Sequence, residues 1–411
     1  MTENKIIIAC DSFKGCMTSS EVNATVAEAV RQWHPSDALT TDATTITTAS
    51  PEVITLEMSD GGEGMLSAFA NALGADMVNM TAHDALMRPI RCSYAMTADT
   101  AIIEVAQTVG LQLIEPEQRN PMRTTSWGVG EQVLHAYRHG ARRFIIGLGG
   151  SATSDSGTGM LRALDNKWRD IAAHCQFTLA SDVTNPLCGP NGAAHVFAPQ
   201  KGATPAMVQQ LDDRARRFAE ASNRALHRDY SDAPGAGAAG GLGYAFMQYL
   251  GATVQSGADL LLTLTRFDDL LPDTLLIITG EGHSDRQTLM GKLPIHILAH
   301  AIPHNIPVWL LSGAITDAPP LLAAGFSRLL PITPPSMPLE EALKKETARS
   351  NILRQLQRER FVFKKISCKK SVSEIPEIRV HIKEEIRVCL ERQREIRVQE
   401  KNHLPNPTIL K

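Results

Sequence analysis

No apolar run in the 411 residues approaches the ~20 that a membrane-spanning helix needs. The N-terminus reads Met1-Thr-Glu-Asn-Lys5 and then Ile6-Ile-Ile-Ala9. It has neither a basic region before the apolar run nor a cleavage site after it, so it does not read as a signal peptide. No Cys-x-x-Cys occurs. The seven cysteines (Cys10, Cys16, Cys92, Cys175, Cys188, Cys368 and Cys389) are odd in number and scattered. That argues against structural disulfides and a zinc site, and for a reducing, cytoplasmic setting. Neither sign of charge dominates. A net charge of -3 gives no general reason to expect nucleic acid or an anionic membrane as partner. A P-loop is also missing, because Gly291-Lys292 lacks the required spacing.

What is present is the composition of an ordinary soluble protein, 43% hydrophobic and 21% charged, long enough for two domains. Its distinctive content is a set of glycine- and aspartate-rich segments, each following an apolar run. The fullest is Ile145-Ile-Gly-Leu-Gly-Gly-Ser-Ala-Thr-Ser-Asp-Ser-Gly-Thr-Gly-Met160, a strand that opens into small residues around Asp155. Such a loop brings backbone N–H groups close to a bound anion, phosphate above all. Lys5–Cys10 reads as a buried strand that ends in Asp11-Ser-Phe-Lys-Gly15. A helix follows from Thr18 to Trp33, with Ser19 or Ser20 as N-cap. Val53–Met58 runs as a strand into Ser59-Asp-Gly-Gly-Glu-Gly64, and Met65–Leu73 as a helix. Cys175–Ala180 is a strand with Asp182 just beyond it. Leu275–Thr279 reads as a strand that ends in Gly280-Glu-Gly-His-Ser-Asp285, with Thr288 and Lys292 beyond.

Ligands of open parallel sheets bind at the carboxyl ends of the strands. Asp11, Ser12 and Lys14 are therefore placed for chemistry, as are Glu281, Asp285 and Lys292. Between Ala75 and Ala106 the apolar residues alternate instead, as in a mixed or antiparallel sheet. The expected fold is α/β with two α/β domains. Residues 1–75 and 265–355 build one Rossmann-like or flavodoxin-like parallel sheet from both chain ends. Residues 76–264 form an inserted glycine-rich domain with a mixed sheet, and a cleft lies between the two. Residues 356–411 make a basic tail, expected to be extended or poorly ordered, in which Glu-Ile-Arg-Val recurs at Glu377, Glu385 and Glu395.

Two patterns carry less. Gly235, Gly237 and Gly240 match G-x-G-x-x-G, but no strand precedes them as a dinucleotide site requires. The pairs His135/His139 and His296/His300 have the i, i+4 spacing of metal ligands on a helix, without a supporting Cys or Glu. They read as surface histidines.

Taken in order, Asp11-Ser-Phe-Lys-Gly, Ser59-Asp-Gly-Gly-Glu-Gly, Gly147-Leu-Gly-Gly-Ser-Ala-Thr, Ser181-Asp-Val-Thr-Asn-Pro-Leu-Cys-Gly, Pro199-Gln-Lys-Gly-Ala, Gly235-Ala-Gly-Ala-Ala-Gly-Gly-Leu-Gly and Gly280-Glu-Gly-His-Ser-Asp-Arg-Gln-Thr with Gly291-Lys closely resemble the type-1 bacterial glycerate kinases. The resemblance spans Lys5 to Asn351. It implies an ATP- and Mg²⁺-dependent kinase acting on D-glycerate, as a monomer or homodimer. Phosphorylation of the 2-hydroxyl is favoured over the 3-hydroxyl.

Phosphoryl transfer needs positioning and charge neutralisation. On that footing the implied catalytic residues are Asp182 as general base, with Lys14 and Asp60. Asp60 and Asp285 are Mg²⁺ candidates, with Glu281 second. Asp11, Ser12, Gly149, Gly150, Ser151, Thr153 and Lys292 are candidates for substrate and phosphate. The chain departs from the family pattern at Ser154 and Ser156, where Asn and Gly are usual. The loop from Ser36 to Ser50 looks longer than in relatives. Between Leu164 and Cys175 the chain lacks a stretch of several tens of residues. An inactive or impaired relic of the family is thus an alternative reading. A dinucleotide-binding oxidoreductase, resting on Gly235–Gly240 alone, is a lesser one.

Overall fold

The computed structural model describes residues 5–33, 51–59, 61–62 and 64–367. The expected loop from Ser36 to Ser50, the carboxylates Asp60 and Glu63, and the chain from 368 onward lie outside the described residues. Among the described residues, eleven strands form two sheets. They are β1 (Lys5–Cys10), β2 (Glu52–Thr55), β3 (Asp76–His83), β4 (Pro89–Met96), β5 (Thr100–Glu104), β6 (Arg143–Gly147), β7 (Gln176–Ala180), β8 (Thr253–Gln255), β9 (Thr274–Ser284), β10 (Val308–Ile315) and β11 (Arg328–Pro331). The main helices are α1 (Ser19–Arg31), α2 (Met65–Leu73), α3 (Trp127–Arg138), α4 (Thr158–Leu164), α5 (Lys167–His174), α6 (Pro205–Leu226), α7 (Ala238–Leu250), α8 (Gly257–Leu264), α9 (Leu293–Ala301) and α10 (Lys345–Ser367).

The first sheet is parallel, in the order β11-β10-β9-β1-β2, and takes its strands from both ends of the chain. The second has the order β3-β4-β5-β6-β7-β8. Its β3-β4-β5 part is antiparallel and its β5-β6-β7-β8 part parallel. Alternation along the strands explains how they stack. Ile6, Ile8, Leu276, Ile278 and Leu311 face Val22, Val26 and Val30 of α1 and Ile352 and Leu356 of α10. Ile7, Ala9, Ile277 and Leu310 face the opposite way, into a cluster with Phe69 of α2, Leu261 of α8 and Ile297 of α9. That cluster also takes in Ala95, Ile102, Ile145 and Ala180 of the second sheet. Their sequence neighbours Tyr94, Ile103, Ile146 and Leu179 point to the far side, against Val129 and Val133 of α3 and Phe246 of α7. The molecule therefore has two α/β domains that share the helical layer between their sheets.

Several elements differ from the sequence reading. The α1 N-cap is Thr18 rather than Ser19 or Ser20, because its hydroxyl and Glu21 close a reciprocal capping box. Strand β9 does not stop at Gly280. It runs on to Ser284 because Glu281, His283 and Ser284 continue the register with β10. The stretch from Asp165 to His174 contains α5, whose only buried residue is Ile171. Helix α10 continues through Leu356 to Ser367, anchored by the buried Leu356 and by the ion pair of Glu359 with Arg328. Where a deletion is expected after Leu164, β6 and β7 pair without interruption from Arg143↔Gln176 to Gly147↔Ala180, bridged by α4 and α5.

Candidate active site

In the parallel sheet β2 lies on one side of β1, while β9, β10 and β11 lie on the other. The winding direction reverses between β1 and β9. Connections on the two sides leave in opposite directions, and a crevice opens at the carboxyl ends of these two strands. A cavity of about 1150 Å³ lies there, lined among others by Asp11, Ser12, Lys14, Glu281, His283 and Lys292. Pro334, Met337 and Leu343 give it an apolar side, and Arg354 and Arg358 of α10 also contribute to its wall.

The side chains on this edge are tied to one another. Asp11 is buried, and its Oδ1 accepts the Ser12 N–H at 2.7 Å. The Ser12 hydroxyl is buried and has no hydrogen-bond partner among the described residues. Glu281 is 7% exposed. Its Oε1 accepts from Ser284 at 3.0 Å and Thr288 at 2.6 Å, and its Oε2 from the Lys292 ammonium at 2.8 Å. Asp285 caps the short 3-10 turn Arg286–Met290, with Oδ1 accepting the Gln287 N–H at 2.7 Å. Its Oδ2 stands 3.8 Å from His283 Nε2.

The glycine-rich loop after β6 is built differently. Its N–H groups at Gly149, Ala152 and Ser156 donate to the carbonyls of Gly61, Val109 and Gly240. A Cβ on Gly149 would come within 2.5 Å of Gly62 Cα, and one on Gly61 within 2.8 Å of the Ala180 carbonyl oxygen. The segment around Gly61 and Gly62 is thus seated on the second sheet, touching the ends of β6 and β7. Asp155 turns inward. It accepts from the Ser126 N–H and hydroxyl at 2.9 Å each and from the Gly157 and Gly159 N–H groups, so it organises the loop. Beneath it lies Lys201, 3% exposed, donating to Ser151 Oγ at 3.2 Å and the Thr153 carbonyl at 2.6 Å. Burial pushes its pKa down to about 7, against the opposing pull of Asp155.

Asp11, Ser12, Lys14, Glu281 and Lys292 thus share one cavity wall, while Gly149, Gly150, Ser151 and Thr153 belong to the second sheet's loop. Asp182 is exposed, two residues past β7. Its charge reaches His296 on α9.

Two residues escaped the sequence reading. Lys201 lies in Pro199-Gln-Lys-Gly-Ala, but nothing in that motif shows its burial. His296 is no surface histidine: its side chain is 12% exposed and bonded to Asp259 at 2.6 Å. His300 is paired with Asp268 instead, and His135 with Tyr94. Among the described residues no three His, Cys, Asp or Glu gather as a metal cluster. No strand precedes Gly235–Gly240. These glycines let the start of α7 press on the loop, and a Cβ on Gly240 would lie 2.0 Å from the Thr153 carbonyl oxygen. The motif is a packing device, which removes the basis for the oxidoreductase reading.

The profile of the glycerate kinase family matches residues 6–174 and 165–359, together most of the chain. The chain belongs to the glycerate kinase family. It is 37% identical over 341 residues to the glycerate 2-kinase of Escherichia coli, covering 76% of this chain and 86% of that one. It is 35% identical over 369 residues to the glycerate kinase of Bacillus subtilis, covering 83% and 93%. A crystal structure assigned to glycerate kinase 2 of Salmonella typhimurium superposes with a TM-score of 0.72 at 32% identity, covering 88% of this chain and 98% of that one. The two matched segments overlap at residues 165–174. At that junction Asp165 takes a left-handed φ of 48°.

Proposed function

We propose that this glycerate kinase transfers the γ-phosphoryl group of ATP to the 2-hydroxyl of D-glycerate, with Mg²⁺, and yields 2-phosphoglycerate. The observation that carries the reading is the cavity at the reversal point of the parallel sheet. At about 1150 Å³ it is far larger than a three-carbon acid requires. Its wall joins the cations Lys14 and Lys292 and the unpartnered Ser12 hydroxyl to an apolar side that suits a nucleoside. The name of the Escherichia coli relative favours the 2-position. The free thiols of Cys10, Cys16, Cys92, Cys175 and Cys188 suit a cytoplasmic enzyme.

In this reading Lys14 and Lys292 offset charge on the phosphoryl oxygens, and Ser12 and Asp11 orient the acceptor. Gly149, Gly150, Ser151 and Thr153 supply the second wall. Asp182 accepts the proton of the attacking hydroxyl. Kinase Mg²⁺ takes one or two carboxylates, with phosphate oxygens and waters completing its shell. Asp285 fits, because its carboxylate is held at the head of the Arg286–Met290 turn by the Gln287 N–H and its Oδ2 stands 3.8 Å from His283 Nε2, and Asp60 is the second candidate. Glu281 fits less well, since both its oxygens already accept protein hydrogen bonds. It anchors Lys292. Held by Asp285 and Asp60, Mg²⁺ would supply positive charge to offset the phosphate oxygens.

Incubation with ATP, Mg²⁺ and D-glycerate, followed by phosphorus NMR, tests activity and regiochemistry together. A 3-phosphoglycerate signal would overturn the 2-position, and no phosphorylated product would overturn the reading. Asp182→Asn is expected to lower kcat by about 10²–10⁴ with an unchanged melting temperature. Near-normal turnover would remove Asp182 from the role of base.

A further inference from the structure

Besides the β1–β9 edge, the cavity has a second cationic face on α10. Ala348, Asn351, Arg354, Gln355 and Arg358 all line it. Spacings of three and four residues put them on one side of the helix. On the adjoining side Ile352 and Leu356 sink into the core beside Val22 and Val26 of α1. The Asn351 amide donates to Met337 Sδ at 3.5 Å. That contact ties the α10 face to the segment carrying Pro334, Met337 and Leu343, the apolar side of the same cavity.

The charges on this face are not balanced by the protein. Earlier on the helix, Lys345 is paired with Glu21 and Arg349 with Glu28. Arg354 and Arg358 form no ion pair among the described residues. The neighbouring acid, Glu359, is buried and paired with Arg328. Of the cavity's own acids, Asp11 follows β1, and Glu281 in β9 is taken up by Ser284, Thr288 and Lys292. Two guanidinium groups one helical turn apart therefore open on a concave site without a counter-charge. A bound anion supplies one. The planar guanidinium fork matches two oxygens of a phosphate at once, which a lysine cannot do.

We infer that Arg354 and Arg358 bind the phosphates of ATP that are not transferred, next to the nucleoside. The inference rests on the reading of this cavity as the nucleotide site. The transferred group belongs at the β1–β9 edge, where lysines and carboxylates stand together. The arginines belong to the face tied to Met337, on the side that suits a nucleoside. Phosphates joined to that nucleoside reach them directly. This placement favours the nucleotide over the carboxylate of D-glycerate as the anion they hold.

The experiment is equilibrium dialysis of ADP and of adenosine on the full chain, without Mg²⁺ so that no carboxylate-held metal contributes. The unaltered protein is expected to bind ADP more tightly than adenosine. Arg354→Gln and Arg358→Gln should each weaken ADP about tenfold and leave adenosine unchanged. Arg354→Lys keeps the charge without the fork and should fall between. In the assay with Mg²⁺, the Gln variants should raise KM for ATP and not KM for D-glycerate. Native ADP affinity in variants of native melting temperature would overturn the inference. Equal losses of ADP and adenosine would also overturn it and reduce the arginines to cavity shape. A rise in KM for D-glycerate alone would assign them to the acid instead. Should the variants fail to fold, the unaltered protein decides, since ADP bound no more tightly than adenosine overturns the inference. If neither ligand binds the unaltered protein, the nucleotide site falls and the inference with it. A protein that forms no phosphoglycerate yet loses ADP affinity in Arg354→Gln keeps the phosphate site and loses only the acceptor reading.

Discussion

The carboxyl edge of the parallel sheet and the glycine-rich loop of the mixed sheet solve different problems. On the edge, side chains carry the load. Glu281 collects Ser284, Thr288 and Lys292, Asp285 caps a turn, and the Ser12 hydroxyl stays without a partner among the described residues. On the loop the backbone does. Gly149 sits against Gly62, Gly157 against Ala245 and Gly240 against Thr153, and the charged Asp155 and Lys201 are turned inward to hold it. A wall made of side chains can lose one and keep its shape. A wall made of touching backbones loses its shape with one methyl group. Substitutions on the edge should therefore damage activity before stability, and those on the loop the reverse.

Gly240→Ala is the harshest test. The added Cβ would lie 2.0 Å from the Thr153 carbonyl oxygen, and Gly240 has a φ of +66°. Neither backbone can retreat without opening the contact between α7 and the loop. The left-handed conformation and overpacking together should cost about 3 kcal/mol, read by urea unfolding. A loss below about 1 kcal/mol would show that the loop yields, and the contrast between the walls would fail.

Lys201→Met probes the one cation buried on the loop wall. Met fills the space but frees Ser151 Oγ and the Thr153 carbonyl, so the loop should shift and turnover fall about 10²-fold. The sign of the pH effect follows from the lowered pKa. In the folded protein Lys201 loses its proton near pH 7, whereas in the unfolded chain it keeps it to its ordinary value of 10.5. The unfolded state binds more protons between those limits, so this group's contribution to stability rises with pH from about 7 to 10.5. It is lost as pH falls through about 7. Lys201→Met should lack that rise when urea unfolding is compared at pH 7 and pH 9.5. Parallel pH slopes for the two proteins would contradict a buried, titrating Lys201.

The two walls were also unequally legible in sequence. β1 and α2 follow from apolar runs and periodicity with clear stops, and their bounds match the expected ones. The edge was readable because acids and lysines at strand ends mark themselves. His296 was not, because Leu293-Pro-Ile-His-Ile-Leu-Ala-His-Ala301 is apolar nearly all round and gives no inward face. Lys201 was hidden for a similar reason: a lysine in a Pro/Gly turn reads as solvated, and only Ser151 and Thr153, distant in sequence, show otherwise. The extension of β9 through Gly280–Ser284 was missed because Gly-Glu-Gly looks like a loop until β10 pairs with it.

The smallest effect separates ancestry from necessity on the loop wall. Ser156, expected to depart from the family pattern, adopts a left-handed φ of 54°, a conformation that favours glycine. Its N–H donates to the Gly240 carbonyl at 3.0 Å, and a Cβ on Gly241 would meet its Cα at 2.7 Å, as it would Leu187 Cδ1. The backbone has thus kept a glycine-like conformation around a residue that pays for it in strain. Ser156→Gly should relieve about 1 kcal/mol of that strain, partly offset by the greater freedom glycine gives the unfolded chain. The net expected gain is a few tenths of a kcal/mol, or a rise of about 1 °C in melting temperature. If Ser156→Gly instead destabilises the protein, the serine side chain has become part of the packing. The loop wall would then have begun to rely on side chains as the opposite edge does.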